Sequence, residues 1–199
     1  KSKHKIRFSS MIFLQLFGFL IILSLLVMTF SHLVAKIIAV GFDEKTIDLA
    51  APLFAINFYY LPMIFAVTFM AALLQYKRHF ATTAYSTALL NIAMIISLLI
   101  SKNLEQYEIT FYLSYGVLSG GILQILVHLY AVKRLNLCKI FTFRKHKQKE
   151  ENKFYKNFFS ATFGSSTIHI SAFIDTWLAS TLISGSISYL YYANRIFQL

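Results

Sequence analysis

The stretch IDTWLASTLISGSISYLYYANRIF, residues 174–197, joins two apolar runs at a short Ser-Gly-Ser turn. Each run carries one charge: Asp175 lies ten residues before Gly185, and Arg195 lies ten residues after it. If both runs are helices that fold back at the turn, each charge lies about 15 Å from it, at ~1.5 Å per residue. That depth is near the middle of a hydrocarbon layer roughly 30 Å thick. A charge there costs at least about 2.5–3.5 kcal/mol and needs a partner or a watery cavity.

Long apolar runs indicate an all-α, polytopic membrane protein. The chain is 57% hydrophobic and only 14% charged, whereas a soluble globular domain carries about 25% charged residues. Four runs without Asp, Glu, Lys or Arg reach the ~20 residues that a spanning helix needs: 11–30, 49–74, 80–100 and 109–132. A fifth span is predicted over 158–183, and 186–199 reads as the start of a sixth. The chain opens without Met and its last run is too short to cross, so we expect an internal piece of a longer protein.

Basic residues are concentrated in alternate connections. The segments 1–7, 77–78 and 133–157 hold 15 of the 19 basic residues, while the connections between them hold five acids and three lysines. This alternation is the positive-inside pattern. It predicts that the basic loops lie in the cytoplasm against the anionic inner leaflet and that the 184–186 turn lies outside. Because the net charge of +11 is distributed in this way, we expect no nucleic-acid partner.

The longest polar stretch divides the chain. Residues 133–157 carry nine basic residues against two acids and separate four spans from the last two. We interpret 133–157 as a basic cytoplasmic linker between two lobes, with 1–132 as the latter part of the first lobe and 158–199 as the truncated start of the second. A plain cytoplasmic loop that only sets the topology is the alternative.

Two prolines and a histidine give local expectations. Pro52 is placed in the first turn of the second span, where its missing N–H is harmless. Pro62 lies within that span and should kink it, with a neighbouring helix or water satisfying the freed carbonyl. Small and hydroxyl residues at helical spacing in the third and fourth spans predict close helix packing. His128, one turn from the inner end of the fourth span, is expected to reach headgroups or water.

The fifth predicted span is the most polar of the set. It carries one aspartate and a series of hydroxyl residues: Ser160, Thr162, Ser165, Ser166, Thr167, Ser171 and Thr176. A lipid-facing helix does not favour so many hydroxyl groups, so we expect one face to line a cavity. Asp175 and Arg195 lie at equal depth on either side of the turn, which makes Asp175 a candidate ion-pair partner of Arg195 or an ion-coupling residue.

Several motifs resemble one known family in the family's own order. GSISYLYYANRIFQL, residues 185–199, resembles the start of the eighth membrane helix of the MurJ/MviN lipid II flippases, whose pattern reads roughly GSVS-x-LYYADR-[LI]. IDTWLAS (174–180), SGGILQ (119–124), LLNIAMI (89–95) and the Gly-Phe pair at 41–42 are also similar to that family. The chain departs from the pattern at Asn194, where the family usually has Asp. Thr83, Thr87 and Tyr59 stand where the family has prolines.

The resemblance implies a fold, a function and a site. The fold would be that of the MOP flippase and exporter superfamily, with about fourteen helices in two lobes around a central cavity. This chain would cover the third to sixth helices, the linker, the seventh and the start of the eighth. The function implied is translocation of lipid II, the lipid-linked peptidoglycan precursor, across the bacterial inner membrane by alternating access. Arg195 would hold the substrate's diphosphate, with Asn194 and Tyr192 as further substrate-binding candidates.

Other functions stay open at this point. The chain shows no nucleophile–base set, no Cys/His metal spacing and no phosphate-binding glycine loop, so we expect neither an enzyme nor a metal or other cofactor. A related exporter of lipid-linked O-antigen sugars or drugs is the first alternative. A membrane enzyme acting on polyprenyl phosphates is the second, for which Asp43, Glu44 and Asp48 offer only a weak acidic cluster. We expect the protein to be monomeric.

Overall fold

The computed structural model describes residues 2–137, 148–183 and 185–197, and these residues form helices and turns. In chain order the helices are α1 Ser2–Thr29, α2 Ser31–Ile38, α3 Glu44–Phe58, α4 Tyr60–Tyr76, α5 Ala81–Ser101, α6 Gln106–Arg134, α7 Gln148–Ala179 and α8 Ser186–Phe197. Four stretches of the described chain are long and apolar enough to cross a membrane: Phe8–Thr29, Glu44–Tyr76, Ala81–Ser101 and Gln106–Arg134. The prediction of an all-α polytopic membrane fold is confirmed.

The fifth predicted span forms a helix of a different character. It lies within α7, which begins at Gln148, and α7 is not among the four stretches that are apolar enough by composition. The reason is its content of serine, threonine, histidine and aspartate. The sixth run forms α8, which ends at Phe197.

By packing, the described residues form two compact units. The first contains the described residues of 1–29 and 53–147, and the second contains those of 30–52 and 148–199. The first unit thus holds α1, α4, α5 and α6 with the end of α3. The second holds α2, the beginning of α3, and the pair α7 and α8.

In the first unit, a proline break in the second span is stabilised by a neighbouring helix. The span is interrupted at Tyr59, between α3 and α4. Pro62 has no N–H to donate to the carbonyl of Phe58, four residues earlier. The Ser24 hydroxyl of α1 donates to that carbonyl instead, at 3.0 Å. The predicted kink at Pro62 is confirmed, and the freed carbonyl has a partner as expected.

The expectation for Pro52 is wrong, because α3 begins earlier than the apolar run. The helix begins at Glu44, so Pro52 lies in its interior. Asp43 provides the start signal, since its carboxylate accepts a hydrogen bond from the Thr46 backbone N–H at 3.2 Å. Asp is a preferred N-cap residue for this reason. The polar turn 44–48 therefore extends the helix beyond the hydrophobic segment.

Helices α5 and α6 pack closely through glycines. A Cβ built on Gly120 would lie 3.0 Å from the Leu90 Cα and 2.8 Å from its Cδ1, and one on Gly116 would overlap the Ser97 side chain. Contact of this kind needs residues without side chains on one helix. The predicted packing of small residues between these two spans is confirmed.

A buried polar chain continues the same contact. The Gln124 amide group donates to the Ser86 carbonyl at 2.9 Å and accepts from the Tyr60 hydroxyl at 3.0 Å. It thereby joins α4, α5 and α6. One turn further along α6, His128 donates through Nδ1 to the Gln124 carbonyl at 2.8 Å.

The expectation that His128 reaches headgroups or water is wrong. Its exposed fraction is 0%, because the side of α6 that carries it packs inside the first unit. The position of a residue in the sequence sets its depth along a helix but not the direction in which its side chain points. The side chain of His128 points into the first unit.

Candidate functional site

The turn between α7 and α8 depends on one glycine. Gly185 has a φ of +92°, in the left-handed region that favours glycine. Its carbonyl accepts a hydrogen bond from the Tyr189 N–H at 3.0 Å, and the Ser186 N–H donates to the Ile183 carbonyl at 3.1 Å. These bonds close the turn and begin α8 at Ser186.

Two clefts flank the contact between α7 and α8, and Leu190 lines both of them. The first has a volume of about 460 Å³ and contains the Asp175 side chain. Its other lining residues are mostly apolar: Leu178, Ala179, Leu182, Ser186, Tyr189, Leu190 and Ala193. Asp175 is thus the charged group of a largely hydrophobic cleft.

The second cleft holds Arg195. It has a volume of about 280 Å³ and brings together Asn194 and Arg195 of α8 with Thr176 of α7. Ala172, Ile187, Leu190 and Tyr191 complete its lining. A guanidinium, an amide and a hydroxyl are all hydrogen-bond donors, so this cleft is chemically suited to an anionic group with several oxygen atoms.

The structure separates the two charges of the hairpin. Asp175 and Arg195 line different clefts, and among the described residues no ion pair within 4.0 Å joins them. The hypothesised pairing is therefore not formed in this conformation. The Arg195 guanidinium is exposed and has no carboxylate within that distance in the described chain.

Tyr192 is placed apart from the other two predicted substrate contacts. It lines neither of these clefts, and 65% of its surface is exposed. Its ring meets that of Tyr191 edge to face, with centroids 5.8 Å apart. The structure thus brings Asn194 and Arg195 together and leaves Tyr192 on another face of α8.

Three hydroxyl groups of α7 bond to their own helix. Ser166 donates to the Phe163 carbonyl at 2.8 Å and Thr176 to the Ala172 carbonyl at 2.9 Å. Ser165 follows the same pattern with Thr162 at 3.1 Å. Such back-bonding satisfies a hydroxyl without any partner helix. The number of hydroxyls in α7 is therefore not sufficient by itself to indicate a cavity.

A third cleft, of about 530 Å³, lies at the turn end of the hairpin within the second unit. Residues 41–46 form one wall and residues between 179 and 188 form the other. Hydrogen bonds from the Thr46 side chain and backbone lower the pKa of the Asp43 carboxyl group. Within this unit the Gly41 N–H donates to the Ser180 hydroxyl at 3.2 Å. Sequence reasoning missed this meeting of segments 139 positions apart, because no local pattern signals it.

Fold and site together define a polytopic helical membrane protein with an exposed arginine in a cleft between two helices. A family profile described as "Lipid II flippase MurJ" matches residues 1–199, so the chain belongs to the MurJ lipid II flippase family.

Individual relatives agree with this assignment. The chain is 44% identical over 215 residues to a "Probable lipid II flippase MurJ" of Helicobacter pylori strain J99, covering 100% of this chain and 47% of the relative. The protein of the same name from H. pylori strain 26695 is 48% identical over 181 residues, covering 83% and 39%. That from Aquifex aeolicus is 34% identical over 189 residues, covering 92% and 37%. The chain thus spans less than half the length of these relatives.

Proposed function

We propose that this protein moves a lipid-linked peptidoglycan precursor, lipid II, across the bacterial cytoplasmic membrane by alternating access. Membership of the MurJ family supports the substrate class. The position of Arg195 in its cleft, with no carboxylate within 4.0 Å among the described residues, is the observation that carries the proposal, because a guanidinium without a carboxylate partner can receive a diphosphate.

Arginine suits this substrate better than lysine would. Its planar guanidinium donates two parallel hydrogen bonds to phosphate oxygens and stays charged at any physiological pH. Asn194 lines the same cleft and can add an amide donor, and Thr176 presents its side chain from α7. In our proposal Tyr192, which lies outside this cleft, contacts the sugar or lipid part of the substrate.

The wider arrangement follows from the charge pattern. The segments 1–7, 77–78 and 133–157 face the cytoplasm and contact anionic lipids of the inner leaflet, each basic residue contributing about 1 kcal/mol. Residues 1–132 belong to the first lobe and 158–199 to the second, with 133–157 as the linker between them. The protein acts as a monomer. Asp175, in its separate cleft, is a candidate for ion coupling rather than for holding the diphosphate.

Conservative replacement of the arginine tests the proposal. Arg195→Lys keeps the charge but removes bidentate bonding, so lipid II translocation should fall by about tenfold, the equivalent of one lost charge-assisted bond of about 1.4 kcal/mol. Arg134→Lys, in the last turn of α6, is the matched control and should keep full activity. Translocation is measured in cells as the accessibility of lipid II at the outer face. Equal activity of both variants would contradict the assigned role of Arg195.

A further inference from the structure

Three buried side-chain atoms on α5 and α6 have no hydrogen-bond partner in the part of the chain that the structure describes. They are the hydroxyl oxygens of Thr83 and Ser86 on α5 and the Nε2 atom of His128 on α6. His128 is 0% exposed and Ser86 is 4% exposed. A buried polar atom without a partner is costly and rare in folded proteins. Three such atoms on two packed helices therefore need a physical explanation.

The register of the two helices places these atoms at one level. The glycine contacts described above show that α5 and α6 run antiparallel, and the Gln124 amide group bonds to the Ser86 carbonyl. One turn is about four residues. One turn further along α6 and one turn back along α5, His128 thus lies at the level of Thr82 and Thr83. The imidazole is therefore opposite the segment of α5 that carries the two unpartnered hydroxyls.

The His128 ring is neutral, and its second nitrogen is an acceptor. Its Nδ1 lies 2.8 Å from the Gln124 carbonyl, which can only accept, so Nδ1 carries a hydrogen. A charged ring would need a carboxylate partner at this depth. Residues 60–101 contain no Asp or Glu, and Glu108 is at the opposite end of α6. Nε2 consequently carries a lone pair that needs a donor.

The two hydroxyls behave differently from others on the same helices. Ser101, Ser114 and Ser119 donate to carbonyls of their own helix at 2.9, 3.0 and 2.9 Å. Thr83 and Ser86 form no such bond. Since α5 packs mainly against α6, their hydroxyls are buried by α6. Each of them has a hydrogen to donate, yet neither bonds directly to Nε2.

We propose that one water molecule is bound between α5 and α6, where it donates a hydrogen bond to His128 Nε2 and accepts one from each hydroxyl of Thr83 and Ser86. About three hydrogen bonds is the usual number for a buried water. The water is enclosed by protein and separated from bulk solvent, in agreement with the complete burial of His128. The site lies in the first unit and does not depend on the proposed function.

A cation suits this site less well than water. One imidazole nitrogen and two hydroxyl oxygens are three neutral ligands without a carboxylate. The Ser86 carbonyl, which could be a further ligand, already accepts from Gln124. Hard cations bind to a larger number of oxygen atoms, carboxylates among them. The donor and acceptor pattern therefore favours a small neutral molecule that can both donate and accept.

A structure of the native protein in a lipid nanodisc, at a resolution that shows ordered water, tests the site directly. We expect a density peak within hydrogen-bond distance of His128 Nε2 and of both hydroxyls. The same peak should be lost in the Ser86→Ala variant. A direct hydrogen bond from either hydroxyl to Nε2, or the absence of a peak from the native protein, would overturn the proposal.

Matched variants provide a second readout. Thr83→Val and Ser86→Ala each remove one hydroxyl and should lower the melting temperature by roughly 2 °C. Thr87→Val, at an exposed position one turn beyond Thr83 on α5, is the matched control and should leave the melting temperature unchanged. The double variant at 83 and 86 should lose less than the sum of the two shifts, because both changes release the same water. Strictly additive shifts would contradict a shared site.

Salt dependence distinguishes water from a bound cation. The shift caused by Thr83→Val, relative to the wild type in the same salt, should be equal in sodium chloride and in choline chloride at one ionic strength. Comparison within each salt removes any effect of sodium elsewhere in the protein. A shift that is present only in sodium would show that the site holds a cation and would overturn the proposal of water.

Discussion

The α5–α6 contact and the α7–α8 hairpin use polar residues in opposite ways. Between α5 and α6, Gln124 bonds to the Ser86 carbonyl of the other helix, and the glycines at 116 and 120 bring the backbones together. In α7 the hydroxyls of Ser165, Ser166 and Thr176 bond to their own helix, and among the described residues of α8 none is buried. Polar groups thus bind helices together in one region and leave helix faces free in the other.

This difference indicates that the two regions have different roles. A contact with glycine at its centre and cross-helix hydrogen bonds resists deformation, because a packed interior has no room to rearrange. A hairpin with open clefts on both sides can bind a ligand or exchange its packing contacts with neighbouring helices. We interpret the first unit as a scaffold and the α7–α8 hairpin as the part that meets the substrate.

The largest effect should come from filling the α5–α6 contact. Gly120→Leu forces a side chain into the space of Leu90, and overpacking of this kind costs about 1–3 kcal/mol. Gly164→Leu places the same side chain on an open face of α7 and should leave stability nearly unchanged. Thermal unfolding of the purified protein in detergent measures both. Equal melting temperatures for the two variants would remove the contrast between the regions.

A smaller effect should follow from removing the support of the proline break. Ser24→Ala leaves the Phe58 carbonyl without its donor. Because this hydrogen bond is only partly buried, the loss should cost about 1 kcal/mol, the lower end of the range for an unsatisfied acceptor. Pro62→Ala restores a backbone N–H that can reach the same carbonyl. We therefore expect Ser24→Ala to cost less in the Pro62→Ala background, which a double-mutant cycle of unfolding free energies measures. Strict additivity would show that the two residues do not share this carbonyl.

The smallest effect concerns the charge at the start of α3. The pKa of Asp43 is lowered in the folded protein by its bonds with Thr46. Its ionised form therefore stabilises the fold above the pKa of the unfolded chain, and this contribution is lost as pH falls through the folded value. Asp43→Asn keeps the cap without the charge. Its stability deficit, measured by unfolding from pH 7 to pH 3, should shrink toward zero at the acid end, and a constant deficit would contradict the ionic contribution.

Local chemistry made part of this structure predictable. Pro62 removes one defined hydrogen bond wherever it stands in a helix, so the break could be expected without knowledge of neighbours. The glycines and serines of α5 and α6 likewise pointed to close packing. Both cases depend on the chemistry of the residue itself: the missing N–H of proline, and the small side chains of glycine and serine.

Other features depended on the direction in which side chains point from their helices, which sequence spacing does not fix. His128 was expected to meet water from its depth alone, and it is buried because of the side of α6 that bears it. Asp175 and Arg195 lie at matching positions about the turn, yet the rotation of α8 after Gly185 places them in different clefts. The contact of Gly41 with Ser180 spans too much sequence for any local pattern to reveal.

The central claim is that Arg195 holds the diphosphate of a lipid-linked substrate. The most direct measurement is native mass spectrometry of the purified protein with lipid II, compared with its Arg195→Ala variant and with a polyprenyl monophosphate as competitor. We predict that the wild type retains lipid II in preference to the monophosphate and that the variant loses this preference. Equal retention of lipid II by both proteins would contradict the account.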